Sequence, residues 1–491
     1  MPAKPLHSVV MTDDPSILIL GAGPAGMAAA MELTRAGKKV TVVEKSTQVG
    51  GLAKTFSFQE PEGTYRTDIG PHRFFSKNQY LYDFIEDLLH EEWKQVPRLT
   101  RFCINGQFYL YPIRIRDVLR KIGIVRACAM MRDYAWERVR SWVAPHPLRS
   151  FEDYAVATFG RTLAEFNMLE YTEKIWGIPC ADISIDWATQ RIGGLSVVAA
   201  IRKALFPKRS GPKTLVDTFY YPAMGSGTIY EAIRNRIEAE GQEILLSSEP
   251  TVIRRSGNNV TGVEVTTPQG TRTFTPQAVV SSVPVPVLLG LFDPPPPPEV
   301  LEAASHLRFR SQVYLFLTVD KEQVMPDNWI YFPDKDIPFG RITEMKNFST
   351  EMCPPGKTSL FIEFFCFEDE PLWSMSAEEL SAQAIPVLER FGLLTQSEIL
   401  STRHFRLSHV YPLYDLDYLP RLHTVMQWLD GMGNFYAIGR PGRFRYTNQD
   451  HSLEMGILAA QSILTAKRLD IENVGKEKEY FERGYVRMKK E

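Results

Sequence analysis

Hydrophobic residues near the start of the chain follow a strand–helix–strand order. The run from Ile17 to Leu20 is wholly apolar, which predicts a buried strand, and the pattern from Met27 to Arg35 is helical. A second strand pattern, Lys39 to Val43, is followed directly by Glu44. This order predicts a β-α-β unit with parallel strands, which we place in residues 16–75.

The first strand ends in a glycine-rich turn, Gly21-x-Gly23-x-x-Gly26. In this spacing the first glycine permits a tight turn, the second lets a pyrophosphate approach the backbone, and the third lets helix and strand pack closely. Glu44 is placed to accept a hydrogen bond from a ribose hydroxyl. A further glycine pair, Gly50-Gly51, is typical of FAD proteins, so we expect FAD in preference to NAD; the alternative for that pair is an ordinary loop.

The next part of the chain, residues 76 to about 210, is mainly helical in pattern. Apolar residues recur there at helical spacing, for example at Leu81, Phe84, Ile85, Leu88 and Leu89. One exception is the stretch from Phe102 to Leu110, which is β-like and turns at Asn105-Gly106. We therefore expect a helical region that carries one hairpin.

Strand patterns return in two later regions. Residues 241–283, with Glu243 to Leu246 as the first short run, predict a small β-meander that leads into a further strand of the parallel sheet, Ala278 to Ser282. Residues 308–412 alternate strands and turns and predict a second sheet that faces the substrate. A last buried strand at 434–438 and a helix from Ser452 to Leu464 return the chain to its first domain.

These patterns predict an α/β fold. It consists of a Rossmann-like FAD-binding domain of the glutathione reductase type, with an inserted helical domain and an antiparallel β-sheet substrate domain. The predicted boundaries are a discontinuous FAD-binding domain at 16–75, 215–295 and 425–470, a mainly helical domain at 76–214, a β-sheet domain at 300–424, and tails at 1–15 and 471–491.

Composition narrows the class of protein. The 491 residues are 44% hydrophobic and 23% charged, which is ordinary for a globular protein of two or three domains. A net charge of −2 argues against a general nucleic-acid-binding protein. The five cysteines are widely spaced, so we expect reduced thiols in the cytoplasm and neither a disulfide framework nor a metal site. No apolar run is long enough to predict a membrane-spanning helix.

A basic and aromatic stretch leaves two interpretations open. Residues 111–149 contain nine arginines and lysines against three acidic residues, mixed with Ile113, Trp136, Val139 and Trp142. Such a mixture suits a helix that lies on an anionic membrane, which would place the protein peripherally at the inner face of the membrane. It equally suits the solvated face of a helical domain.

Short motifs are scattered over most of residues 16–465. The most specific is Arg445-Tyr446 followed by Asn448-Gln449-Asp450-His451-Ser452. The others are Asp68-Ile69-Gly70-Pro71-His72, Tyr111-Pro112, Trp176-x-x-Pro179, Trp187-x-x-x-Arg191, Trp329-x-Tyr331-Phe332-Pro333, Gly340-Arg341, Tyr411-Pro412 and Gly439-Arg440. Together they resemble the flavoprotein superfamily of UDP-galactopyranose mutase, protoporphyrinogen oxidase and the amine oxidases, and most of all the mutases of the eukaryotic type.

The resemblance implies roles for individual residues. It implies catalytic roles for Arg191 and Arg341, which would hold a substrate diphosphate, and for His72 beside the flavin. The implied substrate-binding residues are Trp176, Trp329, Tyr331, Tyr411 and Tyr446. The implied FAD-binding residues are Gly21, Gly23, Pro24, Ala25, Gly26, Glu44, Lys45, Gly51, Leu52, Gly70, His72, Gly439, Arg440, Gln449 and Asp450.

The chemistry of these residue types agrees with the implied roles. Arginine presents planar paired donors to a diphosphate better than lysine does, and aromatic rings offer flat faces to a sugar or base. A helix that starts near Asp450 would direct its positive end towards the flavin. Two positions depart from the mutase pattern: Thr172 replaces an asparagine that contacts uracil, and Phe348 replaces a tyrosine of the diphosphate site. The identity of the nucleotide and of the sugar therefore stays open.

Two functions follow from the resemblance. The leading one is an FAD-dependent flavoenzyme similar to UDP-galactopyranose mutase, which acts on a nucleotide-diphosphate sugar through N5 of the reduced flavin and needs an external reductant. The alternative is an FAD-dependent oxidoreductase, an oxidase or desaturase similar to protoporphyrinogen oxidase or the amine oxidases. A flavin-binding carrier without chemistry is a third interpretation, and the oligomeric state stays open.

Overall fold

The computed structural model describes residues 10–11, 17–111, 115–144, 147–192 and 218–475. Its helices are α1 Pro24–Arg35, α2 Gln79–Leu89, α3 Ile115–Ile122, α4 Ile124–Val143, α5 Phe151–Phe159, α6 Arg161–Ala164, α7 Glu170–Trp176, α8 Ile185–Ile192, α9 Thr228–Ala239, α10 Val285–Leu289, α11 Pro298–Ser305, α12 Ala377–Arg390, α13 Tyr418–Asp430, α14 Gly439–Gly442 and α15 Gln449–Thr465. Its strands are β1 Val10–Met11, β2 Ile17–Leu20, β3 Val40–Val43, β4 Thr55–Glu60, β5 Gly63–Asp68, β6 Trp93–Pro97, β7 Thr100–Ile104, β8 Gln107–Leu110, β9 Thr218–Pro222, β10 Glu243–Leu245, β11 Glu249–Ser256, β12 Asn259–Thr267, β13 Gly270–Phe274, β14 Ala278–Ser281, β15 Phe292–Asp293, β16 Phe309–Val319, β17 Trp329–Tyr331, β18 Arg341–Glu344, β19 Thr358–Cys366, β20 Ile399–Pro412 and β21 Phe435–Ala437.

Five strands form a parallel sheet in the order β10-β3-β2-β14-β21. The strands β2, β3 and β14 are buried at every position, as expected for a parallel sheet that is covered on both faces. Helix α15 packs closely against α1, since a Cβ on Gly456 would lie 2.1 Å from the Ala25 carbonyl oxygen. The predicted β-α-β unit and the mixed α/β class are confirmed, whereas the glutathione reductase type stays a prediction.

A second five-stranded sheet has the order β1-β13-β12-β11-β15. The predicted meander is present as β11, β12 and β13, which pair antiparallel. The run that starts at Glu243 was wrongly assigned to this meander: it forms β10, which pairs in parallel with β3. The reason is that α9 precedes β10 and returns the chain to the parallel sheet, as a β-α-β crossover does. Val10 and Met11, in the predicted N-terminal tail, pair with β13.

The third large sheet has seven strands in the order β20-β16-β19-β18-β17-β7-β8. Most of its strands pair antiparallel, as predicted for residues 308–412. The hairpin β7–β8 turns at Asn105-Gly106, where both φ angles are positive, at 50° and 74°. Strand β7 pairs in parallel with β17, so the hairpin predicted within the mainly helical region is part of this sheet.

The helices α3 to α8 occupy the region between the hairpin and β9. Helix α5 starts with a capping box in which the Ser150 hydroxyl accepts from the Asp153 N–H and the Asp153 carboxylate accepts from the Ser150 N–H.

All five cysteines are unpaired, and Cys128 on α4 is exposed while the other four are buried. Within the described ranges, no helix combines the length and hydrophobicity needed to cross a membrane.

Candidate functional site

The glycine-rich turn between β2 and α1 has the geometry that its spacing predicts. Gly21 has a φ of +102°, which favours glycine, and a Cβ on Gly26 would lie 1.9 Å from the Gly21 carbonyl oxygen. The second glycine pair folds onto this turn, because a Cβ on Gly51 would come within 2.9 Å of the Gly23 Cα. The two segments, Gly21 to Gly26 and Gly50-Gly51, therefore form one surface that larger side chains would obstruct. We call it the glycine surface.

One helix N-terminus lies at this glycine surface, and a second lies beside the loop that carries His72. Helix α1 begins after Gly23 and α15 begins after Asn448, and no side chain caps either helix. Gln449 at the start of α15 donates to the His72 carbonyl at 3.4 Å, and His72 in turn interacts with the Leu52 carbonyl, directly after the second glycine pair. Their free N–H groups and positive dipole ends favour an anion such as a pyrophosphate.

Glu44 ends β3 beside the glycine surface. Its carboxylate accepts hydrogen bonds from the Ala22 N–H at 2.7 Å and from the Ser46 N–H at 2.8 Å. Each carboxylate oxygen has a second lone pair, so Glu44 retains the capacity to accept from a ribose hydroxyl. The neighbouring Lys45 has an exposed side chain whose Nζ pairs with Glu249 at 2.8 Å, on the protein surface.

Asp68 lies just before the loop with the sequence Gly-Pro-His, residues 70–72, which we call the Gly-Pro-His loop. Its buried carboxylate accepts from the Thr55 hydroxyl at 2.5 Å, the Tyr221 hydroxyl at 2.7 Å and the Ser226 N–H at 3.2 Å. Burial outweighs these bonds and raises the pKa of Asp68 to about 7. The loop up to His72 therefore starts from a fixed, hydrogen-bonded carboxyl group.

His72 lies where the glycine surface meets the seven-stranded sheet. Its imidazole interacts with the carbonyl groups of Ile69 and Leu52, and Leu52 directly follows the second glycine pair. Burial, followed by the positive charges of Arg440 and Arg341, lowers the pKa of His72 to about 3. The imidazole is therefore neutral at neutral pH.

Gln449 joins the Gly-Pro-His loop to the start of α15. Its Oε1 accepts from the Tyr230 hydroxyl at 2.9 Å and the Ser226 hydroxyl at 3.1 Å, and its Nε2 donates to the His72 carbonyl at 3.4 Å. The Gln449 side chain is thus held by protein groups. The adjacent Asp450 differs, because its buried Oδ1 has no hydrogen-bond partner within the described part of the chain.

Arg341 begins β18 and forms a two-point ion pair with Glu363 on the adjacent strand β19. Its Nε and Nη2 each lie 2.6 Å from a different carboxylate oxygen, and the side chains of Arg341 and Glu363 are 15% and 1% exposed. Gln312 donates to the same carboxylate at 3.2 Å. A Cβ on Gly70 would lie 3.2 Å from Arg341 Nη2, so the Gly-Pro-His loop approaches the pair closely. The third nitrogen of Arg341, Nη1, makes no hydrogen bond to a described residue.

Aromatic rings form a box around the end of β20. Tyr411 and Tyr446 stack with their centroids 5.5 Å apart. The ring of Trp176 lies 6.0 Å from Tyr411, and that of Trp187 lies 4.9 Å from Tyr446. We call Trp176, Trp187, Tyr411 and Tyr446 the aromatic box. The Trp176 indole nitrogen is buried and has no hydrogen-bond partner among the described residues.

Two guanidinium groups border the aromatic box. The Arg440 guanidinium lies 4.8 Å from the Tyr446 ring centroid and 5.5 Å from that of Tyr411. Burial raises the pKa of Tyr411 to about 12, while the positive charges of Arg341 and Arg440 oppose this rise. The structure therefore brings Arg341, Arg440 and the two tyrosines together.

The remaining predicted aromatic residues lie on β17, beside β18. The Arg341 guanidinium lies 5.8 Å from the Tyr331 ring, and Tyr331 also contacts Tyr171 at 5.4 Å. Trp329 is fully buried and packs against Phe348, with ring centroids 6.0 Å apart. Tyr331 thus borders the Arg341 pair, whereas Trp329 packs mainly in the core behind it.

Arg191 is the predicted site residue that the structure describes least. The backbone of α8 includes it, one helical turn beyond Trp187, but its side chain lies outside the described residues. The Pro112 of the Tyr111-Pro112 motif lies outside them too. Trp187 also contacts Trp176, with centroids 4.7 Å apart, so α8 itself borders the aromatic box.

Three residues at the site were missed by the sequence reasoning: Glu363, Tyr171 and Lys54. Glu363 could have been found from the sequence, since it is the one charged residue in an apolar run from Leu360 to Phe367. A buried carboxylate needs a cation or hydrogen-bond donors as partners. Lys54 follows the second glycine pair and donates to the Ser46 hydroxyl at 2.7 Å; burial lowers its pKa. No sequence pattern marks Tyr171 as a site residue; burial raises its pKa.

Comparison with known proteins gives a family match over most of the chain. Residues 24–464 match the family described as flavin containing amine oxidoreductase. The chain is 22% identical over 169 residues to the probable UDP-galactopyranose mutase of Klebsiella pneumoniae, and 23% identical over 354 residues to an L-amino-acid oxidase of Bothrops moojeni. These matches cover 34% and 66% of this chain, and they span 42% and 66% of the length of the two relatives.

Solved structures share the fold. A reduced UDP-galactopyranose mutase has a TM-score of 0.80 at 24% identity, with 95% of this chain and 99% of that chain covered. A putrescine oxidase bound to putrescine has a TM-score of 0.61 at 16% identity, with 92% and 99% covered. At these identities the likeness establishes the fold, on which both a mutase and an oxidase are found.

Proposed function

The chain belongs to the family of flavin-containing amine oxidoreductases, and on that premise we propose that it acts on a nucleotide-diphosphate sugar in the manner of a UDP-galactopyranose mutase. FAD is the cofactor that this family implies. The residues fit it: Gly23 and Gly51 form a surface without side chains at the uncapped N-terminus of α1, which suits a pyrophosphate. Glu44 retains an acceptor for the ribose.

The chain's own residues have two tasks in this proposal. When reduced by an external donor, FAD supplies a nucleophilic nitrogen, N5, for the anomeric carbon of the sugar. The protein holds the substrate against it and stabilises the negative charge of the departing diphosphate. Arg341 is suited to this task, because its Nη1 is available while Glu363 fixes the other two nitrogens. Arg191, on α8 beside the aromatic box, is the second proposed donor.

The charge around the aromatic box carries this proposal. Arg341 and Arg440 both border the box, and the carboxylate of Glu363 is already engaged by Arg341. His72 is neutral, so it adds no charge beside the box. The Arg341–Glu363 pair is neutral as a whole, so Arg440 leaves a net positive charge beside the box, which attracts a diphosphate and repels an ammonium group.

The aromatic box supports the same substrate class. Tyr411 and Tyr446 present stacked faces, which suit a sugar or a base. The buried indole N–H of Trp176 lacks a partner among the described residues, and a ligand oxygen would satisfy it. Tyrosine hydroxyls add neutral donors for phosphate oxygens.

Incubation of the FAD-loaded protein with UDP-galactopyranose, with and without dithionite, tests the proposal. We expect a ring-contracted isomer of the sugar nucleotide only under reducing conditions, detected by chromatography and NMR. Release of hydrogen peroxide in air without any isomer would reject the mutase function. A variant with the exposed Arg254 changed to Met is the control and should keep full turnover.

An oxidase is the second candidate, and one observation favours it. The chain resembles an L-amino-acid oxidase over 354 residues, twice the length of the mutase match. An amino acid carries an α-carboxylate, and Arg341 alone is enough to pair with one carboxylate. Aerobic assays of the common L-amino acids for peroxide discriminate the two: turnover of an amino acid without isomerisation of any sugar nucleotide supports the oxidase.

A further inference from the structure

Helix α4 exposes a row of apolar side chains: Val125, Trp136, Val139, Trp142 and Val143. We call this row the α4 stripe. Within it, Trp136 is 66% exposed and Trp142 is 85% exposed. Single exposed apolar residues are ordinary on a protein surface, but four of these five side chains, two of them tryptophans, lie within the last eight residues of α4, and such a cluster marks an interaction surface.

The α4 stripe lies on one side of the helix, and the opposite side is fixed to the protein. At about 100° per residue, Val125, Trp136, Val139 and Val143 fall within an arc of roughly 60°, and Trp142 lies about 60° beyond it, so the stripe spans roughly 120°. Ala127 and Met130 on the other side are buried. Asp133 accepts from the Thr162 N–H of α6 at 2.7 Å. The helix is therefore held from behind, with the stripe directed outward.

The charges beside the α4 stripe are positive. Arg132, Arg138 and Arg140 are exposed on the same helix. Neither acid of α4 is exposed: Glu137 is buried and pairs with Arg140 at 3.5 Å, and Asp133 is held by α6. Such a surface complements anionic groups, which a lipid headgroup layer presents over an extended plane.

Size and charge favour a lipid surface over the other occupants. Twenty residues of helix span about 30 Å and expose a strip of roughly 300 Å², well below the ~800 Å² per partner that a stable dimer buries. Arginines of two copies would also repel each other. No described helix is apolar enough to span a membrane, so α4 would lie along its surface.

We propose that α4 binds the surface of an anionic lipid membrane as an interfacial helix. Trp136 and Trp142 enter the headgroup region, where an apolar ring with one polar N–H is favoured. The arginines pair with lipid phosphates, and their aliphatic parts extend along the apolar stripe. This inference does not depend on which reaction the flavin site catalyses.

Cys128 provides a native probe for the test. It is exposed on α4, one turn after Val125, and the other four cysteines are buried. The FAD-loaded full chain is labelled at Cys128 with an environment-sensitive fluorophore and mixed with vesicles of phosphatidylcholine alone or of phosphatidylcholine with phosphatidylglycerol. We expect a blue-shifted, stronger emission with the anionic vesicles only, weakened by added salt.

Variants then distinguish binding through the α4 stripe from non-specific adsorption of the protein to vesicles. The double change Trp136→Ser and Trp142→Ser should weaken vesicle binding by about tenfold or more. Changing Arg132 and Arg138 to Gln should abolish the preference for anionic vesicles. The control changes the exposed Leu416 and Leu419 to Ser and should bind as the parent does.

Four results would overturn the proposal. One is an unchanged probe signal with anionic vesicles, and another is equal binding by the tryptophan variant. A third is a dimer in sedimentation that the tryptophan changes dissociate, which would assign the stripe to a second copy. The fourth is resistance of Cys128 to labelling before vesicles are added, which would show that another part of the chain covers α4.

Discussion

Replacing Arg341 by Met separates the two tasks that the structure gives this residue. The change leaves the buried carboxylate of Glu363 without its cation, although the Gln312 hydrogen bond at 3.2 Å remains. Removal of one partner of a buried ion pair costs about 3–5 kcal/mol. An unfolding entropy of about 2.1 cal/mol/K per residue over 491 residues gives about 1 °C per kcal/mol, so the apparent melting temperature should fall by roughly 3–5 °C.

The same change removes a donor from the proposed diphosphate site. A hydrogen bond to a charged group contributes about 1.5–3 kcal/mol, which corresponds to roughly 10- to 150-fold in affinity. We therefore expect the dissociation constant for UDP, measured by tryptophan fluorescence of the FAD-loaded protein, to rise by that factor. Arg341→Lys should recover only part of the loss, because lysine lacks the paired planar donors.

A double variant distinguishes binding from folding. Changing Glu363 to Leu together with Arg341→Met removes both charges from an apolar strand pair, and this should restore most of the thermal stability. UDP binding should stay weak. The matched control is Arg254→Met, which breaks exposed pairs with Glu264 at 2.5 Å and with Asp293 at 3.2 Å and should leave the melting temperature nearly unchanged.

Two outcomes would refute this reasoning. If Arg341→Met binds UDP as tightly as the parent, Arg341 does not hold the ligand. If the double variant regains UDP binding together with stability, the single variant had lost binding only because the site was misfolded. In either case the diphosphate role of Arg341 is withdrawn.

The other predictions concern the cofactor surface and the buried titratable groups. Gly51→Ala should lower FAD occupancy, read from the ratio of flavin to protein absorbance, because a Cβ there meets Gly23 Cα at 2.9 Å; Gly37→Ala, with no atom within 4 Å, should keep FAD. Asp68 has its pKa raised to about 7 in the folded protein, so its stabilising contribution is present at low pH and lost as the pH rises towards 7. The melting temperature of the parent relative to Asp68→Asn should therefore fall between about pH 4 and 7, and equal slopes would contradict this. Because the pKa of His72 is lowered to about 3, UDP affinity should show no protonation step of His72 between pH 5 and 8, and a step that His72→Gln removes would contradict its neutrality.

The local parts of the fold were predictable from the sequence. The glycine spacing of Gly21, Gly23 and Gly26 fixes a turn within a few residues, and the φ of Gly21 agrees with it. The Asn105-Gly106 hairpin was equally local, since its turn type follows from these two residues. Such features depend on neighbours in sequence, which the pattern shows directly.

Contacts between distant strands were less predictable. The pairing of Arg341 with Glu363 depends on the register of β18 against β19, and no short motif specifies that register. The position of the hairpin beside β17 depends on sheet order, which apolar alternation does not encode. Side chains alternate in direction along an extended chain, and after β3 this places Lys45 on the surface. Assigning a role to Lys45 from a family motif does not take this alternation into account.

A crystal structure of the reduced, FAD-loaded protein in complex with UDP is the most direct test of the proposed diphosphate site. We expect diphosphate oxygens within about 3 Å of Arg341 Nη1, with the uridine or sugar side against Tyr411 and Tyr446. Density for UDP elsewhere, or an occupied site in which Arg341 contacts only Glu363, would contradict the proposal.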